Sequence, residues 1–164
     1  MIQEGSIRNR KFISVCCASE PSDREVALAF EVGKEIALRG AVLVCGGLGG
    51  SMEAACRGAK ENGGFTIGIL PTYDKTSANK WVDVVIPTGL GHARNNLVAA
   101  AGDGVIGVGG SWGTLSEIAI AMRMGKPVAV LEGWSVSMPA APELCFRPAR
   151  SAKEAVGIAM GEIV

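Results

Sequence analysis

A short glycine-rich pattern occurs twice in the chain, each time where an apolar run gives way to a helical run. Glycine lets the backbone adopt positive φ and approach a ligand closely, and a helix that begins beside it offers unpaired N–H groups to an anion. The pattern therefore predicts two phosphate-binding loops, and two such loops suit a ligand the size of a nucleotide. The predicted phosphate-binding residues are Gly46, Gly47, Gly49, Gly50 and Ser51 in the first loop and Gly109, Gly110, Ser111, Gly113 and Thr114 in the second.

Strands must lead into these loops and helices must follow them, and the hydrophobic pattern predicts both. Short apolar runs rich in β-branched residues alternate with helical patterns, which is typical of a mostly parallel sheet with helices on both faces. We therefore predict the α/β class, with residues 1–164 forming a single Rossmann-like three-layer domain. The predicted strands cover residues 12–16, 41–45, 65–70, 82–86, 105–108 and 127–131.

Five helices are predicted from capping residues and apolar periodicity. The first begins after Ser22, with Glu25 as its capping partner, and ends at Gly40. Both glycine loops are expected at the carboxyl edge of the sheet, because open α/β sheets bind their ligands there. The other predicted elements are helices from Ser51 to about residue 62, from near Gly91 through Val98, over 115–124 and from Ser151 onward, and a candidate short strand at 144–146.

The composition argues against several classes of function. Sixteen basic and sixteen acidic residues cancel, so no overall charge favours nucleic acid or a membrane surface. The longest stretches without a charged residue, 40–52 and 104–116, are too short to cross a bilayer, and residues 1–10 lack a signal-peptide core. Five cysteines without a C-x-x-C pair indicate cytosolic thiols. We therefore expect a cytoplasmic protein with no metal site, no nucleic-acid partner and no membrane partner.

Neither loop carries the usual dinucleotide fingerprint G-x-G-x-x-G. Met52 occupies the third glycine position of the first loop, and Trp112 occupies that of the second. The predicted turn after the first strand, residues 18–22, contains no glycine. The sequence therefore argues against a conventional NAD dehydrogenase.

The second loop resembles a motif of a known family. Residues 108–117 read V-G-G-S-W-G-T-L-S-E, which closely resembles the P-G-G-x-G-T-x-x-E motif of the "lysine decarboxylase-like" or LOG family, whose characterised members are cytokinin riboside monophosphate phosphoribohydrolases. Residues 45–52 are similar to that family's other signature, and the resemblance extends over residues 14–131. With Ala93-Arg94-Asn95 ahead of the second loop, the chain looks most similar to the short branch that includes molybdenum cofactor carrier proteins.

The resemblance implies a phosphorylated ligand and, in the hydrolase branch, a catalytic pair. That branch uses an arginine ahead of the loop and the glutamate of the motif, which match Arg94 and Glu117. Breaking an N-glycosidic bond develops oxocarbenium-like charge on the ribose, and a carboxylate stabilises this charge while it orients or deprotonates water. Glu117 would take that role. Arg94 would hold the ribose hydroxyls or the phosphate, or keep Glu117 ionised.

The resemblance leaves two functions open. One is a hydrolase that needs no cofactor and releases the base from a nucleoside 5′-monophosphate such as AMP. The other is a non-catalytic carrier or sensor of a nucleotide or of a phosphorylated pterin of the molybdopterin type. Val108 stands where the motif has proline and Trp112 makes the loop bulkier, so no cytokinin is inferred. A lysine decarboxylase is not expected, because Lys126 suits a cation at a helix end better than a Schiff base.

Several of these residues also have plain structural interpretations. Thr114 and Glu117 match a helix capping box, and Arg94 also fits a solvated surface position. His92 contacts a ligand or is a loop histidine without a role. Trp112 is either a lid over a base or part of the packing.

The resemblance also implies a homodimer or larger homo-oligomer. Residues 95–101, in the predicted third helix, are uncharged and rich in small apolar side chains, which suits packing across a twofold axis. Burial within the monomer explains the same composition equally well.

Overall fold

A parallel sheet of seven strands forms the centre of the protein, for which a computed structural model describes residues 6–136 and 146–162. The strands are β1 Phe12–Cys17, β2 Val42–Cys45, β3 Phe65–Leu70, β4 Val84–Pro87, β5 Gly104–Val108, β6 Val128–Leu131 and β7 Arg147–Pro148. Their order in the sheet is β4-β3-β2-β1-β5-β6-β7, and all neighbouring pairs are parallel. The predicted α/β class and Rossmann-like fold are confirmed.

The six predicted strands are all present, with ends within two residues of the prediction. The pattern missed β7, which is only two residues long and pairs with β6 at the edge of the sheet. Of the candidate strand at 144–146, residues 144 and 145 lie outside the described residues.

The five predicted helices are also present, two of them with different starting points. The fourth begins at Trp112 rather than at 115, because Ser111 caps it: its Oγ accepts a hydrogen bond from the N–H of Thr114 at 3.3 Å. The predicted third helix is a 3-10 turn, Gly91–Arg94, followed by a true helix from Asn95. The helices are α1 Asp23–Leu38, α2 Ser51–Glu61, α3 Asn95–Ala101, α4 Trp112–Arg123 and α5 Ala152–Ala159.

The helices cover both faces of the sheet. Helices α1, α2 and α5 share one apolar core with alternate residues of the central strands, such as Ile13 and Leu43. Helices α3 and α4 share the other, with residues such as Cys16 and Val44. Successive residues of a strand point to opposite faces, so the two cores explain why these strands are mostly apolar on both faces. Among residues 6–136 and 146–162, no helix is long and apolar enough to cross a membrane.

Successive strands are added on one side of β1 up to β4 and on its other side from β5 onward. From β1 the sheet continues through β2, β3 and β4 on one side and through β5, β6 and β7 on the other. The loops that follow β1 and β5 therefore diverge, one toward each face, and leave a crevice outside their carboxyl ends. Both glycine loops start at this edge, because one follows Cys45 at the end of β2 and the other follows Val108 at the end of β5.

Candidate functional site

An open cleft of about 700 Å³ lies at the carboxyl edge of the sheet, beside the ends of β1, β2 and β5. Its walls come from the loops after those strands, from the turn that precedes α3 and from the first two turns of α4. The lining residues are Val15, Cys17, Ser19, Gly46, Leu48, Met52, Pro71, Gly91, His92, Arg94, Asn95, Ser111, Trp112, Gly113, Thr114, Ser116 and Glu117. The cleft has the size expected of a small-molecule site.

The side chains of Arg94 and Glu117 meet in this cleft. Nη1 of Arg94 lies 3.5 Å from Oε1 of Glu117, and both residues are buried, at 8% and 5% exposure. Within the described residues, Nε of Arg94 has no hydrogen-bond partner. A buried donor without a partner is costly, so the guanidinium retains an unused capacity to bind an oxygen of a ligand.

The carboxyl group of Glu117 has a raised pKa. Burial raises its pKa from 4.5 to about 7, although Arg94 and a hydrogen bond with the thiol of Cys16 oppose that rise. Desolvation disfavours the charged form of a carboxyl group more strongly than these two partners stabilise it. Glu117 therefore exchanges its proton near neutral pH, as a general acid or base does.

Gly46, in the first glycine loop, makes room for the guanidinium of Arg94. A Cβ at position 46 would lie 2.6 Å from Nη1 and 2.7 Å from Nη2 of Arg94, and 2.8 Å from Sδ of Met52. These distances are far shorter than ordinary contacts between heavy atoms. The absence of a side chain at position 46 therefore leaves room for the guanidinium of Arg94 beside the loop, within 3.5 Å of Glu117.

A second polar contact joins the chain neighbours of Arg94 and Glu117, which are Asn95 and Ser116. Nδ2 of Asn95 donates to Oγ of Ser116 at 3.0 Å, and that hydroxyl donates to the carbonyl of Gly113 at 2.7 Å. Both Asn95 and Ser116 line the cleft, although neither was among the predicted site residues. Their adjacency to Arg94 and Glu117 in the sequence is the feature from which they could have been predicted.

The capping box proposed for Thr114 and Glu117 does not form. Ser111 is the N-cap of α4, so Thr114 lies in the first turn and Glu117 lies in the second turn, buried against Arg94. Thr114 is also buried, and its hydroxyl contacts that of Ser111 at 3.1 Å. Capping therefore does not explain the glutamate at position 117.

Three consecutive backbone donors of the second loop are free for a ligand at the start of α4. The N–H groups of Ser111, Trp112 and Gly113 have no acceptor in the part of the chain that the structure describes, and all three residues line the cleft. Adjacent donors at a helix N-terminus suit a phosphate oxygen. The N–H groups that already have acceptors are those of Gly109 (O of Leu131, 2.9 Å), Gly110 (Oε1 of Glu25, 3.3 Å) and Thr114 (Oγ of Ser111, 3.3 Å).

The first loop contributes less to the cleft than its sequence suggests. Of its five predicted residues only Gly46 lines the cleft, while Gly47, Gly49, Gly50 and Ser51 do not. Gly47 packs against Gly68 and Leu70, and Gly50 packs against Ser19. Ser51 is fully buried, and its N–H donates to the carbonyl of Ala18 at 3.1 Å. Phosphate binding by these four residues stays a prediction.

Asn79, from the segment between β3 and β4, holds the first loop in place. Its backbone N–H donates to the carbonyl of Gly47 at 2.9 Å, and its Nδ2 donates to the carbonyl of Leu48 at 2.9 Å. The sequence gives no sign of this contact, because an asparagine 31 positions from its partner forms no local pattern. Asn79 fixes the wall of the cleft that Leu48 forms.

The two other basic residues considered from the sequence have different surroundings. His92 is exposed and lines the cleft. Lys126 donates from Nζ to the carbonyls of Ala99, Ala100 and Gly102, which lie at the C-terminal end of α3. Lys126 therefore pairs with helix carbonyls, as the sequence suggested, although the helix is α3 rather than its own.

The cysteines of the described residues are all buried and free. They are Cys16, Cys17, Cys45 and Cys56, and Cys145 lies outside the described residues. Sγ of Cys45 lies 3.5 Å from Sγ of Cys56, behind the first loop. Within residues 6–136 and 146–162, no group of three or more His, Cys, Asp or Glu side chains is arranged to hold a metal ion.

Comparison with known proteins gives consistent similarities. Residues 10–161 match the SLOG cluster4 family. The chain is 47% identical over 120 residues to an uncharacterised protein of Archaeoglobus fulgidus, covering 73% of this chain and 79% of that one. It is 33% identical over 132 residues to a cytokinin riboside 5′-monophosphate phosphoribohydrolase of Mycobacterium tuberculosis, covering 74% and 71%. The structure of a molybdenum cofactor binding protein from Rippkaea orientalis superimposes with a TM-score of 0.86 at 34% identity, covering 93% and 97%.

Proposed function

The chain belongs to the SLOG cluster4 family, and we propose from this premise that its cleft binds a nucleoside 5′-monophosphate and hydrolyses the N-glycosidic bond. The observation that carries the proposal is the buried pair of Arg94 and Glu117, whose carboxyl group has a pKa of about 7. A similar phosphoribohydrolase from Mycobacterium tuberculosis supports the reaction class.

The phosphate binds at the start of α4 in this proposal. The open N–H groups of Ser111, Trp112 and Gly113 and the positive end of the helix dipole receive its oxygens. Arg94 lies next to this position with an unpartnered Nε, and it holds either a phosphate oxygen or a ribose hydroxyl. The ribose then lies over the Arg94–Glu117 pair.

Glu117 acts on the water that attacks the ribose. As the bond between C1′ and the base nitrogen breaks, the electron pair leaves with the base and positive charge develops on the ribose, which the carboxylate of Glu117 stabilises. Water forms the new bond to C1′ and gives a proton to Glu117. That proton passes to the departing base, so that the products are the neutral base and ribose 5-phosphate.

Release of base and ribose 5-phosphate from a panel of nucleoside 5′-monophosphates tests the proposal. Native protein should release both in equal amounts, and Glu117→Gln should lower turnover by about 100-fold or more, since acid–base groups contribute about 10²–10⁴. Glu61→Gln, the same change at an exposed position of α2, is the matched control and should leave the rate unchanged. Equal rates in native protein and Glu117→Gln would contradict the assignment of Glu117.

A second function, that of a non-catalytic carrier or sensor, rests on a different observation. The molybdenum cofactor binding protein from Rippkaea orientalis superimposes on this chain over 97% of its own length. The same cleft would hold a phosphorylated pterin or nucleotide, with the open donors of α4 on the phosphate and no bond broken. Bound ligand without turnover in native protein would favour this function over the hydrolase.

Self-association is proposed through the outer side of α3. Val98 and Ala99 face inward and are fully buried in the monomer, whereas Leu97, Ala100 and Ala101 are exposed. An exposed apolar side on a helix suits contact with a second copy. Light scattering over a concentration series should give a dimer or larger oligomer that Leu97→Lys weakens, and a strict monomer at all concentrations would contradict the proposal.

A further inference from the structure

Trp112 lines the cleft and yet is largely uncovered, with 77% of its surface exposed. Tryptophan is largely buried in most proteins. An exposed indole beside a candidate ligand site therefore indicates that a ligand covers it. The backbone N–H of Trp112 is also one of the three open donors at the start of α4.

A second aromatic ring supports this indole. The ring of Trp134 packs against it, with centroids 4.9 Å apart and planes inclined by 41°, and the high exposure of Trp112 leaves ring surface open to a ligand. Trp134 is itself fixed, because its Nε1 donates to the carbonyl of Ser111 at 3.1 Å. A Cβ at Gly110 would lie 2.9 Å from that Nε1, so the glycine there leaves room for Trp134.

A supported aromatic ring with exposed surface is suited to stacking. An indole already held by its neighbour loses little conformational freedom when a second ring packs on it, and every nucleobase or pterin offers a flat π-face for such contact. Because Trp112 is the first residue of α4, its ring and the open N–H groups belong to one turn of helix. One ligand that carries a phosphate and a planar ring can therefore reach both.

We propose that Trp112 binds the planar heteroaromatic ring of the ligand by stacking, and that this contact selects phosphorylated compounds with such a ring over sugar phosphates. This rests on the proposed function only in requiring that the cleft bind the phosphate. It applies to a hydrolase and to a carrier alike. Any flat ring can stack on an indole. Trp112 therefore distinguishes ligands that carry a planar ring from ligands that lack one, and it does not distinguish one base from another.

Calorimetric titration with AMP and with ribose 5-phosphate tests the stacking contact, in a Glu117→Gln background where AMP is cleaved too slowly to disturb the titration. AMP should bind more tightly than ribose 5-phosphate. Trp112→Ala should weaken AMP on the order of 10-fold to 100-fold and leave ribose 5-phosphate unchanged, while Trp112→Phe should retain much of the AMP affinity. Trp81→Phe is the control, because Trp81 packs outside the cleft with Lys80 over its ring.

The outcomes separate this proposal from the function on which it rests. Unchanged AMP affinity in Trp112→Ala would overturn the stacking contact and leave the proposed function intact. An equal loss for AMP and ribose 5-phosphate would also overturn it, because Trp112 would then act by shaping the loop. Failure of both ligands to bind before Trp112 is changed would overturn the proposed function, and the stacking contact with it.

Discussion

Gly46 and Arg94 fit together so closely that a side chain at one position would displace the other. A Cβ on Gly46 would lie 2.6 Å from Nη1 of Arg94, the same nitrogen that faces Glu117. The first glycine loop therefore takes part in the site by positioning the guanidinium. A glycine at this position is needed by the protein itself, whatever the ligand.

Gly46→Ala is expected to impair function without unfolding the protein. The end of an arginine side chain can move, so the added methyl group should shift the guanidinium away from Glu117 at a cost in stability of about 1–2 kcal/mol. We expect turnover to fall by about tenfold or more. In an Arg94→Ala background the same change should have little further effect, because the two residues are coupled. Independent, additive losses of turnover would contradict this coupling.

The pH dependence of stability should contain a contribution from Glu117. Its pKa is raised from 4.5 to about 7 on folding, so its contribution to the free energy of unfolding is fully present below pH 4.5 and is lost as the pH rises through 7. The loss amounts to about 3 kcal/mol. Urea unfolding at pH 4.5 to 8 should show native protein losing stability relative to Glu117→Gln over that interval.

The surface change Glu61→Gln serves as the control for this titration. It removes an exposed carboxyl group from α2 and should reproduce the native pH profile. Parallel profiles for native protein and Glu117→Gln would show that the buried carboxyl group does not titrate as the structure indicates.

The sequence predicted the fold from its hydrophobic and capping patterns, and it predicted the pair Arg94 and Glu117 from a resemblance to a family motif. Alternation of apolar and helical runs determined the order of the strands along the chain, and the glycine motifs lay where buried strands end. The motif resemblance selected Arg94 and Glu117, which the turn before α3 and the second turn of α4 bring within 3.5 Å.

Other features of the site could not be predicted because they depend on contacts between distant segments. A glycine pattern does not distinguish a glycine that leaves space for a ligand from one that leaves space for another part of the protein. Gly46 leaves space for the side chain of Arg94, Gly110 for that of Trp134, and Gly50 for the backbone of Ser19. The role of Asn79 in holding Gly47 and Leu48 likewise appears only once β3 and β4 are paired.

Glu25 links the first helix to the second glycine loop. Its Oε2 accepts from the N–H of Ser22 at 2.7 Å, and its Oε1 accepts from the N–H of Gly110 at 3.3 Å. Hydrogen bonds from Ser22 and, to a smaller extent, from Gly110 lower its pKa, so its stabilisation is present above pH 4.5 and is lost as the pH falls.

Removing Glu25 should therefore affect both stability and ligand binding. Glu25→Ala deletes half of a capping box and is expected to cost about 1–2 kcal/mol of unfolding free energy near pH 7, with less cost in acid. It should also weaken phosphate binding, because Gly110 loses its anchor. Glu31→Ala, at a partly exposed pair with Lys34 on the same helix, is the comparison and should change neither. Unchanged ribose 5-phosphate affinity in Glu25→Ala would contradict the link.

Asn79→Ala should loosen the first loop without removing any residue that lines the cleft. The carbonyls of Gly47 and Leu48 lose a donor, which is expected to lower the free energy of unfolding by about 1–3 kcal/mol. Ligand binding should also weaken, because Leu48 becomes more mobile in the wall of the cleft. Asn62→Ala is the control, because Asn62 makes a similar bond to the carbonyl of Gly58 away from the cleft. Equal ligand affinities in the two variants would exclude a positioning role for Asn79.

Single-turnover cleavage of AMP by an excess of native protein is the decisive measurement for N-glycosidic hydrolysis in this cleft. With all AMP bound, its conversion to adenine and ribose 5-phosphate depends on the chemical step alone, and bound AMP is measured in the same samples. We expect stoichiometric release of both products, slowed about 100-fold or more in Glu117→Gln while AMP remains bound. AMP that stays bound and intact in native protein would contradict hydrolysis and leave a protein that carries or senses its ligand.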